Sequence, residues 1–326
     1  MKKLKIGEFE IDIKKAIKRI EDIGAEKILL QVPAGLRRSS RKIVDIVKDH
    51  DVKVNLWGGT CYGACDLPKD IGDTDLLIHI GHSEIPNLKV DYPVVYLEGR
   101  SKIWNAPSEE LINELEGKIA LYASVQHLDH MKKMEEILKK EGFETIIGKG
   151  DQRITYPGQV LGCNYSVKVP KADNHLYIGT GSFHPLGLSI SLEKEVFIFN
   201  PVSGDFRTIG DKRDRFLRRR FAAIQASKNA KNVGVIVSQK IGQRRTDVLD
   251  FDNLCGSHPD LIITEFDEVE PHLVDDFQWD CAVNTACPRI ALDDQQNYRT
   301  RILTPIEFMI LKNKKKWKSW KMDEIY

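Results

Sequence analysis

Asp73-Thr-Asp-Leu-Leu-Ile-His-Ile-Gly-His82 recurs in looser form as Ala172-Asp-Asn-His-Leu-Tyr-Ile-Gly-Thr-Gly181. In each copy an acidic residue precedes a short apolar run, and glycine follows it. Each copy leads through a loop to a second apolar run, Tyr92–Glu98 in the first case and Glu195–Asn200 in the second. Short apolar runs bounded by turn residues are what strands buried on both faces of a parallel sheet look like. Self-similarity over such a distance marks duplicated modules.

The flanking sequence has the same rhythm. In the first module Ile13, Ala16, Ile17 and Ile20 fall at helical spacing, with Gly24 placed to cap the helix. A strand is predicted over Lys27–Pro33, a helix from the Ala34 turn to about His50, a strand over Val52–Gly58 and a loop over Gly59–Asp66. The second module offers a strand over Lys118–Ser124 and a helix over Val125–Glu141, with Met131, Met134, Ile137 and Leu138 on one face and Gly142 as its cap. A strand over Phe143–Gly148 and a loop carrying Cys163 follow. In the third, a basic helix over Asp211–Ala230 leads to a strand over Asn232–Ser238, and Gln243–Leu254 reads as a helix. A strand over Asp260–Phe266, a short acidic helix near Glu268–Phe277 and a strand over Trp279–Thr285 complete it, and Cys287 follows at once. This alternation predicts an α/β protein of three similar small parallel-sheet modules, at 1–105, 106–205 and 206–326, the last with a basic C-terminal tail.

Composition sets the class. Hydrophobic residues make up 41% and charged residues 30% of 326, with a formal net charge of +1. Such a chain buries cores without staples and is not built as a whole to bind polyanions. No apolar run reaches the length of a membrane span, and the N-terminus lacks the apolar stretch of a signal peptide. A cytoplasmic location is therefore expected. The six cysteines, at 61, 65, 163, 255, 281 and 287, are then not expected to form disulfides.

Ligands of open α/β sheets gather at the carboxyl ends of the strands. Three modules in a pseudo-threefold arrangement bring three such loops to one centre, and each candidate loop holds a cysteine: Cys65, Cys163 and Cys287. Thiolates at these places suit an iron–sulfur cluster with one open iron position, or a structural zinc. Three unrelated loop cysteines are the plain alternative. Cys61 and Cys65 form a C-x3-C pair with no second pair nearby. Cys255 and Cys281 read as core residues.

Tyr62-Gly-Ala-Cys-Asp66, Gly158-Gln-Val-Leu-Gly-Cys163, Gly179-Thr-Gly-Ser-Phe-His-Pro185 and Asn284-Thr-Ala-Cys-Pro-Arg-Ile-Ala-Leu-Asp293 resemble, in order and spacing, the archaeal family of first-step diphthamide enzymes, the 2-(3-amino-3-carboxypropyl)histidine synthases. The resemblance spans almost the whole chain. It implies a homodimer whose subunits each hold a 4Fe-4S cluster on Cys65, Cys163 and Cys287, with Cys65 preferred to Cys61 because it follows Gly-Ala. It further implies non-classical radical chemistry, in which S-adenosylmethionine (SAM) gives its 3-amino-3-carboxypropyl group to carbon 2 of a histidine on translation elongation factor 2. An electron donor is required.

Around those thiols Arg289 is a candidate for the methionine carboxylate of SAM, and Asp293 or Asp294 for its amino group. His82 and Ser83, Phe183 and His184, and Gln239 with Lys240 stand at strand ends and are further cofactor-binding candidates; Phe183 is placed to stack on adenine. Solvated loop or capping roles are the plain reading of each. Arg213, Arg215, Arg218, Arg219 and Arg220 read as the solvated face of an amphipathic helix. The lysine- and tryptophan-rich run Lys312–Lys321 reads either as a frayed terminus or as a patch for an acidic surface or RNA, and no direct nucleic-acid binding is required. Two other functions stay open: a quinolinate-synthase-like lyase or condensing enzyme using its open iron as a Lewis acid, and a non-catalytic cluster-bearing partner.

Overall fold

Asp75, Asp173 and Asp280 each stand immediately before a buried strand and perform the same task. Asp75 Oδ2 accepts the backbone N–H groups of Glu26 and Lys27 at 3.0 and 2.9 Å. Asp173 Oδ2 accepts that of Lys118 at 2.7 Å, and Asp280 Oδ2 those of Lys231 and Asn232 at 2.8 and 2.9 Å. In each case the carboxylate satisfies N–H groups where the first strand of a sheet begins, and so ties that strand to the third.

The computed structural model describes residues 3–248 and 261–326. Two compact units divide the chain. The first comprises Met1–Leu161, Ser166–Ser182 and Glu195–Thr208, and the second comprises Gly162–Tyr165, Phe183–Lys194 and Ile209–Tyr326.

In the first unit, strands β1 (Leu4–Ile6) and β2 (Phe9–Ile11) form an antiparallel hairpin ahead of the predicted helix, where no strand was expected. Gly7 at its tip has φ 58°, a conformation cheap only for glycine. Helix α1 (Lys14–Ile23) buries Ala16, Ile17 and Ile20, and Gly24 closes it in the left-handed region. Then come β3 (Lys27–Gln31), a 3-10 segment Ala34–Ser39, α2 (Ser40–Lys48), β4 (Lys53–Leu56), β5 (Leu76–Gly81) and β6 (Val94–Ser101). The sheet order is β1-β2-β6-β5-β3-β4, parallel from β6 to β4. A second sheet follows α3 (Glu109–Glu114), which Ser108 caps. Its strands are β7 (Lys118–Ala123), β8 (Glu144–Ile146), β9 (Asn174–Ile178), β10 (Phe197–Phe199) and β11 (Phe206–Thr208), in the order β11-β10-β9-β7-β8. Helix α4 (Leu128–Lys140) packs Leu128, Met131, Met134 and Leu138 onto it.

The second unit contains α5 (Phe183–Leu192), α6 (Gly210–Ala226), β12 (Val233–Ser238), β13 (Leu261–Phe266), α7 (Pro271–Asp275), β14 (Cys281–Asn284), α8 (Pro288–Leu292), β15 (Arg301–Leu303) and α9 (Pro305–Leu311). Its sheet runs β13-β12-β14-β15, all parallel. Counted in chain order, the parallel part of each of these sheets reads fourth, third, first, second strand. This common order is the structural content of the sequence repeat. The sheets are not wholly parallel, however, because β2 and β11 add antiparallel edges.

Other expectations change. Phe183 and His184 were read as loop residues but open α5, which is apolar on most sides and mostly buried. Between Gln243 and Val248 the chain makes turns and a 3-10 turn at Thr246–Val248 instead of an α-helix; the rest of that predicted helix, and Cys255, lie outside the described residues. Arg220 is not on a solvated face. It is 3% exposed and paired with Glu307, which is fully buried. The C-terminus is not frayed: Trp320 Nε1 donates to Glu307 at 3.0 Å and Met322 is buried. No described helix is long and apolar enough to cross a membrane.

Candidate functional site

Cys287 stands between β14 and α8, with Pro288 supplying the first helical residue. The loop before it is fixed by Asn284, whose Nδ2 donates to the Cys287 carbonyl at 2.8 Å while its Oδ1 accepts the Ala286 N–H at 3.1 Å. Arg245 clamps the same loop. Its Nε and Nη2 both donate to the Ala286 carbonyl, at 2.9 and 2.6 Å, and its own backbone N–H reaches Thr285. Cys287 is partly buried. Burial, with the nearby Cys163 thiol adding to it, pushes its pKa up to about 11. A buried thiol of this kind suits a metal centre, which would displace its proton.

Cys163 lies in the segment Gly162–Tyr165, which belongs to the same unit as Cys287. This loop is held by the end of the chain. Ile325 N–H donates to the Cys163 carbonyl at 2.7 Å, and Asn164 Nδ2 donates to the Ile325 carbonyl at 2.9 Å. Glu324 accepts from Tyr165 N–H at 2.9 Å and from Ser191 Oγ at 3.1 Å. Asp323 in turn accepts both arms of Arg245. Residues 323–325 therefore strap the Cys163 loop to the residue that clamps the Cys287 loop. Gly162 is a close-approach glycine: a Cβ there would lie 2.7 Å from Phe183 Cε1.

The same unit brings together four predicted residues. The Arg289 guanidinium lies 4.6 Å over the Phe183 ring, and its Nη2 donates to Asp293 at 2.6 Å. Arg289 Nε is buried and meets no acceptor among the described residues. A buried donor without an acceptor is costly unless something else supplies one, and a ligand carboxylate has the matching shape and charge. Phe183 and His184 meet edge to face at 5.7 Å. Burial, with Arg289 adding to it, lowers the His184 pKa to about 4, so the ring is neutral at pH 7. Asp294 is shifted upward by burial. Gln239 is not part of this group: its Nε2 donates to Glu265 at 3.3 Å, and Lys240 pairs with Glu268.

Cys65 belongs to the first unit. Its loop is wound around Asp66, which accepts from Thr60 Oγ1 at 3.0 Å and from Tyr62 N–H at 2.8 Å. Gln31, at the end of β3, ties the loop to the sheet by donating to the carbonyls of Thr60 and Asp66. Cys65 is partly exposed, whereas Cys61 is buried. His82 Nδ1 meets His79 Nε2 at 2.9 Å, and Ser83 Oγ accepts from Gln159 at 2.6 Å. Cys281 is a core residue of β14, as expected.

Sequence reasoning missed Arg245, Asp323 and Glu324, because their partners are remote in the chain. Asn284 stood at the head of the Cys287 motif but was given no role of its own.

Comparisons with known proteins place the chain in a family. The family described as "Putative diphthamide synthesis protein" matches residues 32–322. A 2-(3-amino-3-carboxypropyl)histidine synthase of Pyrococcus horikoshii is 38% identical over 93% of this chain and 90% of its own. The synthase of Methanocaldococcus jannaschii is 30% identical over 97% and 93%. The crystal structure of Dph2 from Pyrococcus horikoshii with a 4Fe-4S cluster superposes with a TM-score of 0.87 at 36% identity, covering 97% of this chain and 94% of that one. The chain belongs to the diphthamide synthesis protein family.

Proposed function

We propose that the chain is a 2-(3-amino-3-carboxypropyl)histidine synthase, which transfers the 3-amino-3-carboxypropyl group of SAM to carbon 2 of a histidine on translation elongation factor 2. The observation that carries the reading is the placement, in one unit, of Cys163 and Cys287 with Arg289, whose buried Nε meets no acceptor among the described residues. Relatives of that name cover more than nine-tenths of the chain.

Cys65, Cys163 and Cys287 would hold a 4Fe-4S cluster, leaving one iron free of protein. Three thiols from three loops fit that donor set. When bound and reduced, the cluster supplies the electron that opens the bond from the SAM sulfur to the methionine γ-carbon. The side chains decide which bond is aimed at it. Arg289 takes the methionine carboxylate through Nε, with Asp293 steadying the guanidinium and offering its carboxylate to the amino group. Phe183 provides a flat surface for the adenine, and neutral His184 a hydrogen-bonding edge beside it. Ser83 is proposed as an outer contact, and Gln239 would join it only on releasing Glu265. His82 is left out of this set because its ring is held against His79. Orientation of this kind accounts for cleavage at the γ-carbon instead of at the adenosyl carbon. Methylthioadenosine leaves, the 3-amino-3-carboxypropyl radical bonds to carbon 2 of the imidazole, and the ring would return one electron to the cluster oxidised by the cleavage and one proton to solvent as it regains aromaticity. The enzyme is proposed to act as a homodimer with a separate electron donor.

The test is anaerobic reconstitution, reduction with dithionite and incubation with SAM, with and without elongation factor 2. Methylthioadenosine and a mass gain on the factor are expected. 5′-Deoxyadenosine as the sole product, or an intact SAM, would count against the reading. Cys65→Ala is expected to lose the 4Fe-4S spectrum and Cys61→Ala to keep it; the reverse result would move the first ligand to Cys61.

A further inference from the structure

Cys61, His79 and His82 are not used by the function proposed above. Cys61 lies in the loop after β4, whereas His79 is on β5 and His82 follows it at the strand's carboxyl end. The Cys61 sulfur and one ring nitrogen from each histidine all lie within 4.8 Å of one another. Cys61 and His79 are buried, and His82 is partly so.

The hydrogen bonds of Gln31 fix the state of His79. Gln31 Nε2 spends its two protons on the carbonyls of Thr60 and Asp66, at 2.9 and 2.7 Å. Its Oε1 is therefore the atom that faces His79 Nδ1 at 2.7 Å, and it can only accept. His79 carries its proton on Nδ1 and points the lone pair of Nε2 at His82 Nδ1, 2.9 Å away. A ring nitrogen fixed by an amide acceptor on its far side is how proteins orient histidine ligands to metals. Cys61 stands on the third corner.

We infer that Cys61, His79 and His82 form a binding site for one divalent ion of the zinc class, separate from the cluster cysteines. One thiolate and two imidazoles are a borderline-soft donor set that zinc favours, and three protein ligands leave a fourth position for water. Zinc bond lengths of about 2.0–2.3 Å place tetrahedral ligand atoms roughly 3.3–3.8 Å apart. Small side-chain rotations bring this triad to that spacing. Binding shifts the His82 proton from Nδ1 to the other ring nitrogen, so that both imidazoles bind as neutral ligands, and releases the proton of the thiol. Asp66 acts electrostatically on His82, and with the Cys61 thiolate it balances the two positive charges of the ion. The ion would tie the loop of residues 59–66 to β5, and so hold Cys65 four residues beyond Cys61.

The test uses the full chain with its iron–sulfur cluster already reconstituted. The protein is equilibrated anaerobically with zinc chloride alone and dialysed against a weak chelator. Metal is counted by mass spectrometry, and the zinc environment is read by X-ray absorption at the zinc edge. About one zinc per chain is expected, with one sulfur near 2.3 Å and two imidazole nitrogens near 2.0 Å. Cys61→Ser should remove the sulfur shell and weaken zinc binding at least tenfold, and His82→Ala should weaken it similarly, whereas Cys281→Ser should leave it unchanged. Zinc with a shell of several sulfurs would place it on the cluster cysteines and overturn the inference. Substoichiometric zinc, or retention of the sulfur shell in Cys61→Ser, would overturn it equally. Circular dichroism of each variant separates lost ligation from lost fold, and if His82→Ala fails to fold, Cys61→Ser alone decides.

Discussion

Arg245 grips Asp323 with both guanidinium arms, Nη1 to Oδ1 at 2.8 Å and Nη2 to Oδ2 at 2.9 Å, while also donating to the Ala286 carbonyl next to Cys287. Arg245 is 4% exposed, so its charge is compensated where water cannot help. Removing Asp323 leaves a buried cation with carbonyls only, a change that costs about 3–5 kcal/mol in such pairs. It also releases the strap from which Ile325 reaches Cys163. Asp323→Ala is therefore expected to lower the melting temperature and to reduce iron and sulfide retention several-fold after reconstitution. Deleting residues 323–326 should do the same. Iron analysis and the visible absorption of the cluster, read beside circular dichroism, check this; full loading in both variants would show that the strap does not position the thiols.

Arg220 predicts an effect of similar size on stability alone. From α6 it forks onto Glu307 of α9 and donates to the carbonyls of Ala291 and Ile302, at 2.7 and 2.8 Å. Glu307 completes a capping box with Thr304 and accepts from Trp320. Arg220→Ala strands the Glu307 carboxylate in the core. A loss of about 3–5 kcal/mol is expected from urea unfolding. Arg220→Lys should recover only part of it, because an ammonium cannot serve three acceptors through a planar fork. Equal stability of the Lys variant and the natural protein would refute the fork argument.

These two arginines show where the sequence stops being readable. The buried strands were legible because their apolar runs end in glycine or in charged turns. Asp75 and Asp173 were visible as part of the repeat itself. Strands β1, β2 and β11 were not, being three residues each, too short for period-two alternation to declare itself. Helix α5 was hidden by the glycines before it and by its lack of a polar face, since a helix apolar on most sides has no amphipathic period to detect. The run Lys312–Lys321 looked solvated because lysines outnumber the two tryptophans that anchor it. Arg289 and Cys287 were found as neighbours in one motif. The partners of Arg245 and Arg220 lie 78 and 87 residues away, and no local pattern encodes such distances.

Acid stability follows from a pair of buried histidines. His127 and His130 are 3% and 1% exposed, with their Nδ1 atoms 3.1 Å apart. Burial lowers both pKa values to about 4. Since the folded values lie below the unfolded value near 6.5, the unfolded chain binds these protons first. Their neutral form is accommodated in full above about pH 6.5, and stability is lost as pH falls from there towards 4. Each contributes a slope of roughly 1.4 kcal/mol per pH unit within that window. Urea midpoints at pH 7, 5.5 and 4.5 should fall steadily, and His130→Asn should flatten the fall. An unchanged slope in that variant would assign the acid sensitivity elsewhere.

Arg289 offers the most direct test of the SAM site. Its guanidinium is stacked on Phe183 and paired with Asp293, and its buried Nε meets no acceptor among the described residues, which makes it the donor proposed for the ligand. A lysine in its place can neither stack as a plane nor reach Asp293 and a carboxylate in parallel. Arg289→Lys and Arg289→Met are both expected to weaken SAM binding to the reconstituted protein by at least tenfold, corresponding to about 1.4 kcal/mol or more. The 4Fe-4S spectrum should be kept in both, since neither change removes a thiol. Phe183→Leu, which removes the stacking surface but keeps bulk, should weaken binding less and leave the preference for methylthioadenosine as product. Binding is measured by anaerobic calorimetry and cleavage by product chromatography. If Arg289 holds the methionine end, its variants should also release a mixture of methylthioadenosine and 5′-deoxyadenosine, because the γ-carbon is no longer the only bond presented to the reductant. Undiminished affinity with unmixed product would remove Arg289 from the site and leave its buried Nε to a structural partner.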